Sequence, residues 1–202
     1  MSTHFKFAIG ALLVAAAFVP ISAQKPTSEA KQKNAVEPQR VEKSGWIQLF
    51  NGKDLTGWRG YNKPDAKETR WKVVDGLLAL DHNGAGDTHG QRDLITDATY
   101  EQFDLRWEWK ISEGGNSGVK YFVVEDRPDA IGHEYQMIDD LHEEDGARGP
   151  KYVTGSVYDV VGATNVVVKP LSEFNQSRLI VQVKHVEHWH NGKLVLTWRA
   201  TP

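Results

Sequence analysis

A chain of 202 residues, 40% hydrophobic and 25% charged, can bury one folded core, and its lack of cysteine excludes a disulfide-built scaffold. A formal charge of -3 with no basic stripe excludes a nucleic-acid partner, which needs Lys and Arg clustered on one face. Seven Trp supply large apolar area and flat faces, a surplus beyond core filling that suits stacking on sugar rings.

Met1 to Lys6 gives a weakly positive start, and Phe7 to Val19 is an apolar run of 13 residues closed by Pro20-Ile21-Ser22-Ala23. The run is too short to span a bilayer. Its layout is that of a secretory signal peptide over residues 1–23, cut near Ala23-Gln24, so the chain is expected to be secreted or periplasmic. The alternative, a buried helix of the mature fold, has no amphipathic partner to pack beside it. No Cys follows the run, which excludes a lipid anchor on a modified cysteine. Residues 24–43 hold five basic and three acidic side chains with Pro26 and Pro38, lack apolar periodicity, and read as a polar tether. Ser44 to Pro202 keeps 18 Lys and Arg against 24 Asp and Glu, all seven Trp and seven of the eight His. Any chemistry belongs there.

From Ser44 onward, short apolar runs are broken by Gly, Asn, Asp and Pro, and none keeps helical spacing for three turns. The predicted strands are Trp71 to Val74 with Leu77 to Leu80 across Asp75-Gly76, then Phe103 to Ile111, Val119 to Val124, His133 to Ile138 and Val153 to Val161. The last is Leu179 to Trp189, folding back on Lys193 to Trp198 across Asn191-Gly192. Both dipeptides suit the positive φ angles of tight hairpin turns. An all-β fold of two packed antiparallel sheets, a sandwich or jelly roll, follows, with a closed small barrel as the alternative.

Alternation sorts side chains by face. Phe103 to Ile111 turns its apolar members one way and Asp104, Arg106, Glu108 and Lys110 the other, either a solvated face or a polar groove in which Glu108 and Lys110 meet a ligand. Along His133 to Asp140, Glu134 and Gln136 share a face, spaced about 6.6 Å apart, a span suited to adjacent sugar hydroxyls. A bulge after Gln136 would bring Asp139 to the same side. The acidic run Asp139, Asp140, Glu143, Glu144 and Asp145 with His142 is a solvated loop or a divalent-cation site, though it matches no calcium-loop spacing. Gly114 to Gly118 is a hairpin turn or a rim loop presenting Asn116. His188 and His190 share a face as a zinc pair without a third ligand at diagnostic spacing, or are simple surface histidines. Trp58, Trp107 and Trp189 are candidate sugar platforms, with core packing the simpler account of Trp107.

Leu49 to Trp58, Trp71 to Gly76, Tyr100 to Trp109, Gly115 to Val119, Gly132 to Asp139, Gly155 to Asp159 and His188 to Gly192 occur in an order that resembles the 3-keto-disaccharide hydrolase family, formerly domain of unknown function 1080, over roughly Gly45 to Thr197. The resemblance implies a concanavalin A-like jelly roll in an exported bacterial protein acting on glycosides oxidised to a ketone at C3. It carries the family's polar motif onto Glu134, Gln136 and Asp139, its Asn-Ser-Gly loop onto Asn116 and Ser117, and later motifs onto Tyr158 and His188. The family usually closes with a further strand, whereas this sequence stops at Thr201-Pro202, so an unpaired sheet edge is expected, through truncation or for a partner to cover.

A C3 ketone acidifies the C2 proton, so a base can remove it, the C1 leaving group departs and water adds back, with no covalent nucleophile. The expected parts are Glu134 or His188 as base, Asp139 or Glu108 as acid partner, and Lys120 or a bound divalent metal at the developing oxyanion. Gln136, Asn116, Ser117, Tyr158 and Trp58 are the expected substrate contacts. The rival readings are a non-catalytic carbohydrate-binding module, a conventional two-carboxylate glycosidase with carboxyls about 5 to 9 Å apart, and a structural role.

Overall fold

The computed structural model describes residues 45–80 and 93–200, together with three strand segments at 6–10, 14–15 and 18–20. The strands, in chain order, are β1 Lys6–Gly10, β2 Val14–Ala15, β3 Phe18–Pro20, β4 Trp46–Gln48, β5 Trp58–Gly60, β6 Trp71–Val74, β7 Leu77–Leu80, β8 Leu94–Thr96, β9 Phe103–Trp109, β10 Asn116–Val123, β11 His133–Ile138, β12 Asn175–Gln182, β13 His185–His190 and β14 Lys193–Arg199. One 3-10 turn, Glu144–Arg148, completes the described elements.

The strands pair antiparallel throughout, in a five-stranded sheet of order β11-β10-β1-β8-β5, a seven-stranded sheet of order β14-β13-β12-β9-β2-β7-β6, and a two-stranded ribbon of β3 and β4. The fold is an all-β sandwich. Its core lies between the inner faces of the two large sheets, where Trp107, Trp109, Leu105, Leu179 and Val181 of one meet Val119, Tyr121, Tyr135 and Met137 of the other. The Trp107 and Tyr135 rings meet edge to face at 4.9 Å. Alternation along β9 puts Asp104, Arg106 and Glu108 on the reverse of that sheet.

Both predicted hairpin turns form. Asp75-Gly76 and Asn191-Gly192 take positive φ at both positions, the backbone twist that matches flanking strands. Two expectations need correction. Leu179 to Trp189 is two strands, because Val183 adopts φ 54° and reverses the chain so that Gln182 pairs with His185. Val153 to Val161 is a turn-rich loop held by isolated bridges of Val157 to Tyr135 and Val161.

The segment read as an export leader supplies β1 to β3. Ala8 pairs with Lys120 on one side and Ile95 on the other, so β1 joins β10 to β8. The tether at 24–43 and the cleavage point at Ala23-Gln24 lie outside the described residues. The outer edge of β11 is covered by the 155–158 loop, with Gly155 N donating to Gln136 O, Gln136 N to Ser156 O and Tyr158 N to Glu134 O.

Candidate active site

The β10 and β11 ladder runs unbroken from Tyr121 opposite His133 to Asn116 opposite Ile138. Residues directly opposite share a face, so Lys120 stands with Glu134, and Gly118 with Gln136. Asn116, Gly118 and Lys120 therefore join Glu134 and Gln136 on the sheet's outer face, while Val119, Tyr121, Tyr135 and Met137 fill the core. The sequence expectation of Glu134 and Gln136 on one side holds, and the Asn116 loop and Lys120 lie on that side with them.

The Glu134 carboxylate makes no hydrogen bond among the described residues. Burial raises its pKa, the Lys120 charge pulls it back, and Asp93 adds to the rise. It lies against Gly118, where a side chain would overlap the carboxylate. Lys120 Nζ pairs with Asp93 Oδ1 at 3.1 Å, from β10 to the residue just before β8. Gln136, almost fully buried, donates Nε2 to Asn116 Oδ1 at 3.1 Å.

A second polar cluster abuts this one. Tyr158 OH donates to Asp145 Oδ2 at 2.7 Å, Asn116 Nδ2 approaches the same oxygen at 3.4 Å, and Arg148 pairs with Asp145. The Tyr158 and Arg148 hydrogen bonds lower the Asp145 pKa. Tyr158 is pushed up to about 12 by burial and by its bond to that carboxylate. The Arg148 guanidinium also stacks 3.7 Å over the Tyr152 ring.

Several expected site residues stand elsewhere. Asp139 stays on the opposite side from Glu134, since β11 carries no bulge after Gln136. Its carboxylate accepts Gly114 N at 2.9 Å, His142 Nδ1 at 2.7 Å and Leu141 N at 3.2 Å. Burial opposes ionisation there, but those donors outweigh it and hold the carboxyl below its ordinary value, so Asp139 is a loop clamp rather than an acid. Glu108, on the reverse of the other sheet, accepts from Gln176 Nε2 at 2.8 Å, with the core between it and Glu134.

His188 is not the base. It is fully buried, and its Nδ1 lies 2.8 Å from Gly155 O, an acceptor only, so Nδ1 carries the proton and Nε2 accepts from Tyr121 OH at 3.0 Å. Trp198 Nε1 donates to the same hydroxyl at 3.0 Å. Burial pushes the His188 pKa down to about 3, so the imidazole is a neutral core group. Ser117 points into the core with its hydroxyl unpartnered among the described residues, and Trp58 is buried with Nε1 donating to Leu49 O at 2.7 Å. Trp107 is core as well, and Trp189 lies beside Arg178 and Glu187 of the other sheet.

The carboxylates of the acidic run are engaged by the protein's own groups. Asp139 binds its own loop, Asp140 Oδ1 accepts Thr154 N at 2.8 Å, Glu143 accepts Asp145 N, and Asp145 holds Tyr158 and Arg148. No three His, Cys, Asp or Glu side chains converge as a ligand set among the described residues. His190 is buried like His188 and contacts Asn191 Nδ2.

Sequence reasoning missed Asp93 and Arg148, and met Asp145 only as a member of the acidic run. Asp93 sits at a strand end whose partner is 27 residues away, beyond any local pattern. Asp145 and Arg148 are visible only as an acidic run and a following Arg, and the 3-10 turn that aims them has no sequence signature as clear as an Asn-Gly hairpin.

Residues 45–202 match the family model of the 3-keto-alpha-glucoside-1,2-lyase-like domain. The chain belongs to this family. It is 31% identical over 196 residues to a 3-keto-disaccharide hydrolase of Bacteroides thetaiotaomicron, covering 89% of this chain and 67% of that protein. Among solved structures, a proposed glycosyl hydrolase from Parabacteroides distasonis superposes with a TM-score of 0.64 at 34% identity, covering 76% of this chain and 72% of that one. A second from the same organism gives 0.54 at 28% identity, covering 70% and 72%. Family membership makes the chain a glycosidase-type hydrolase built on a β sandwich.

Proposed function

We propose that this enzyme cleaves the glycosidic bond of 3-keto-glycosides by removing the C2 proton, expelling the C1 substituent and adding water to the resulting double bond. The observation that carries this reading is the Glu134 carboxylate, partly buried, without a hydrogen-bond donor among the described residues, and on the face away from the core beside Lys120. A base of this kind needs no covalent nucleophile and works best with a pKa drawn toward the working pH.

In this reading Glu134 takes the C2 proton and the Lys120 ammonium, steadied by Asp93, meets the negative charge growing on the C3 oxygen. The electron pair left at C2 forms the C1–C2 double bond as the C1–O bond breaks, and the departing oxygen takes a proton from Tyr158 OH or water. Water then adds its oxygen at C1, returning a proton to the donor, and protonated Glu134 restores the hydrogen at C2. The net change is hydrolysis. Gln136, Asn116 and Tyr158 supply hydrogen bonds to ring hydroxyls.

Glu134→Gln, assayed on a 3-keto-glucoside, is expected to lose turnover while keeping substrate affinity. Unchanged turnover contradicts the assignment. The presence of Asp93 as a second carboxylate near Glu134 favours a two-carboxylate glycosidase as the other reading, and that enzyme would cleave unoxidised glucosides equally well. A sugar-binding module is less well supported, because Trp58 and Trp107 belong to the core.

The 1–23 leader pattern supports export to the periplasm or exterior. Processing there would withdraw β1, β2 and β3, and the backbone groups of β10 and β8, and of β9 and β7, would then need other partners between them.

A further inference from the structure

Asn116 and Tyr158 reach the site from different parts of the chain, one from the start of β10 and the other from the loop paired to β11. A single carboxylate joins them. Asp145 Oδ2 accepts Tyr158 OH at 2.7 Å and lies 3.4 Å from Asn116 Nδ2, and Asn116 in turn holds Gln136 through its own Oδ1. The order Arg148, Asp145, Asn116, Gln136 is a hydrogen-bonded chain ending on the strand face that carries Glu134.

The loop that carries Asp145 is itself fixed at several points. Glu143 accepts Asp145 N at 2.7 Å, the Asp139 carboxylate clamps the Gly114 turn at one end, and Asp140 fixes Thr154 at the other. Arg148 is three residues on and its charge is directed at Asp145 while its face rests on Tyr152. Such a loop commits its polar groups to holding one carboxylate in place.

We propose that Asp145 is a positioning residue of the catalytic site, one that fixes the Tyr158 hydroxyl and the Asn116 amide against the substrate and is itself held in place by Arg148. This deepens the elimination reading and rests on it for the role of the substrate contacts. Geometry alone carries the positioning. Without the Asp145 carboxylate, the Tyr158 hydroxyl loses its acceptor and keeps only the 3.4 Å approach of Arg148, and Asn116, which orients the Gln136 amide, loses the group that holds its own Nδ2. Misplacement of such groups by about 1 Å costs on the order of 100-fold in rate.

The test uses the full chain and two readouts. The first is the ultraviolet titration of the Tyr158 phenol in the substrate-free protein, identified by subtracting Tyr158→Phe. Asp145→Asn is expected to lower its midpoint by about 1 pH unit or more, since a carboxylate next to a phenol resists formation of the phenolate. The second is kcat/KM on a 3-keto-glucoside, expected to fall about 100-fold in Asp145→Asn, mostly through kcat, with Arg148→Lys between that variant and the parent. Unchanged kcat/KM in Asp145→Asn overturns the proposal whatever the phenol midpoint, and an unchanged midpoint overturns the part of it that runs through Tyr158. If Asp145→Asn does not fold, Tyr158→Phe breaks the same contact from the other side, and kcat/KM equal to the parent's then overturns it. Failure of the parent to cleave the 3-keto-glucoside sinks the elimination reading instead, and the phenol titration then decides the Asp145–Tyr158 contact separately.

Discussion

Glu134 lies against the bare backbone of Gly118, so that a methyl group at Gly118 would occupy the space of its carboxylate. The two are diagonal neighbours across the β10–β11 ladder, and only glycine leaves that room. Gly118→Ala is expected to push the carboxylate aside and lower kcat/KM about 100-fold. Thermal melting checks that the fold persists, and an activity equal to the parent's would remove Gly118 from the account.

Glu134 has its pKa raised by burial, with Lys120 in part offsetting the rise. A raised folded pKa means that the native state holds the proton more tightly than the unfolded state does. The associated stability is present below the ordinary glutamate pKa and is lost as pH rises through the native value. Two outcomes follow. The acidic limb of the kcat/KM profile lies above the ordinary glutamate value, and Glu134→Gln raises the melting temperature at neutral pH while abolishing turnover.

His188 shows the opposite behaviour. Its native pKa near 3 lies below the unfolded value, so the unfolded chain takes up a proton that the native state refuses. Stability is therefore expected to fall as pH drops from about 6.5 toward 3, over and above the loss from carboxylates. Denaturant melts of the parent and His188→Gln across that range measure it: the parent loses more stability than the variant. Tyr121→Phe removes the hydroxyl between Trp198 and His188, and is expected to cost about 2 kcal/mol by leaving the buried His188 Nε2 and the half-buried Trp198 Nε1 without that partner.

Val183 is a β-branched residue at φ 54° in the two-residue turn between β12 and β13, and it is largely exposed. A left-handed backbone costs such a side chain on the order of 1 kcal/mol or more. Val183→Gly is expected to stabilise the protein by about 1 kcal/mol in a chemical denaturation midpoint, with no effect on activity.

Period-two alternation and turn dipeptides made β6, β7, β9, β11 and the β13–β14 hairpin legible in the sequence, since each is decided by residues next to one another. The same logic put Glu134 and Gln136 on one face. What it could not show depends on distant contacts. Nothing local says that Val183 turns the chain, that Ser117 faces inward, or that His188 is walled in by Tyr121, Trp198 and Gly155. Asp139 illustrates the limit best, because its motif position is as expected and only the Gly114, Leu141 and His142 donors reveal that its carboxylate is already taken.

The central claim, that an outward-facing Glu134 attacks a carbon acidified by a neighbouring ketone, is tested most directly by matched incubations of a glucoside and its 3-keto counterpart with the parent and with Glu134→Gln. The account predicts that the parent cleaves only the oxidised sugar, and that the variant cleaves neither. Cleavage of both sugars by the parent, or full activity of the variant on the oxidised one, would contradict it.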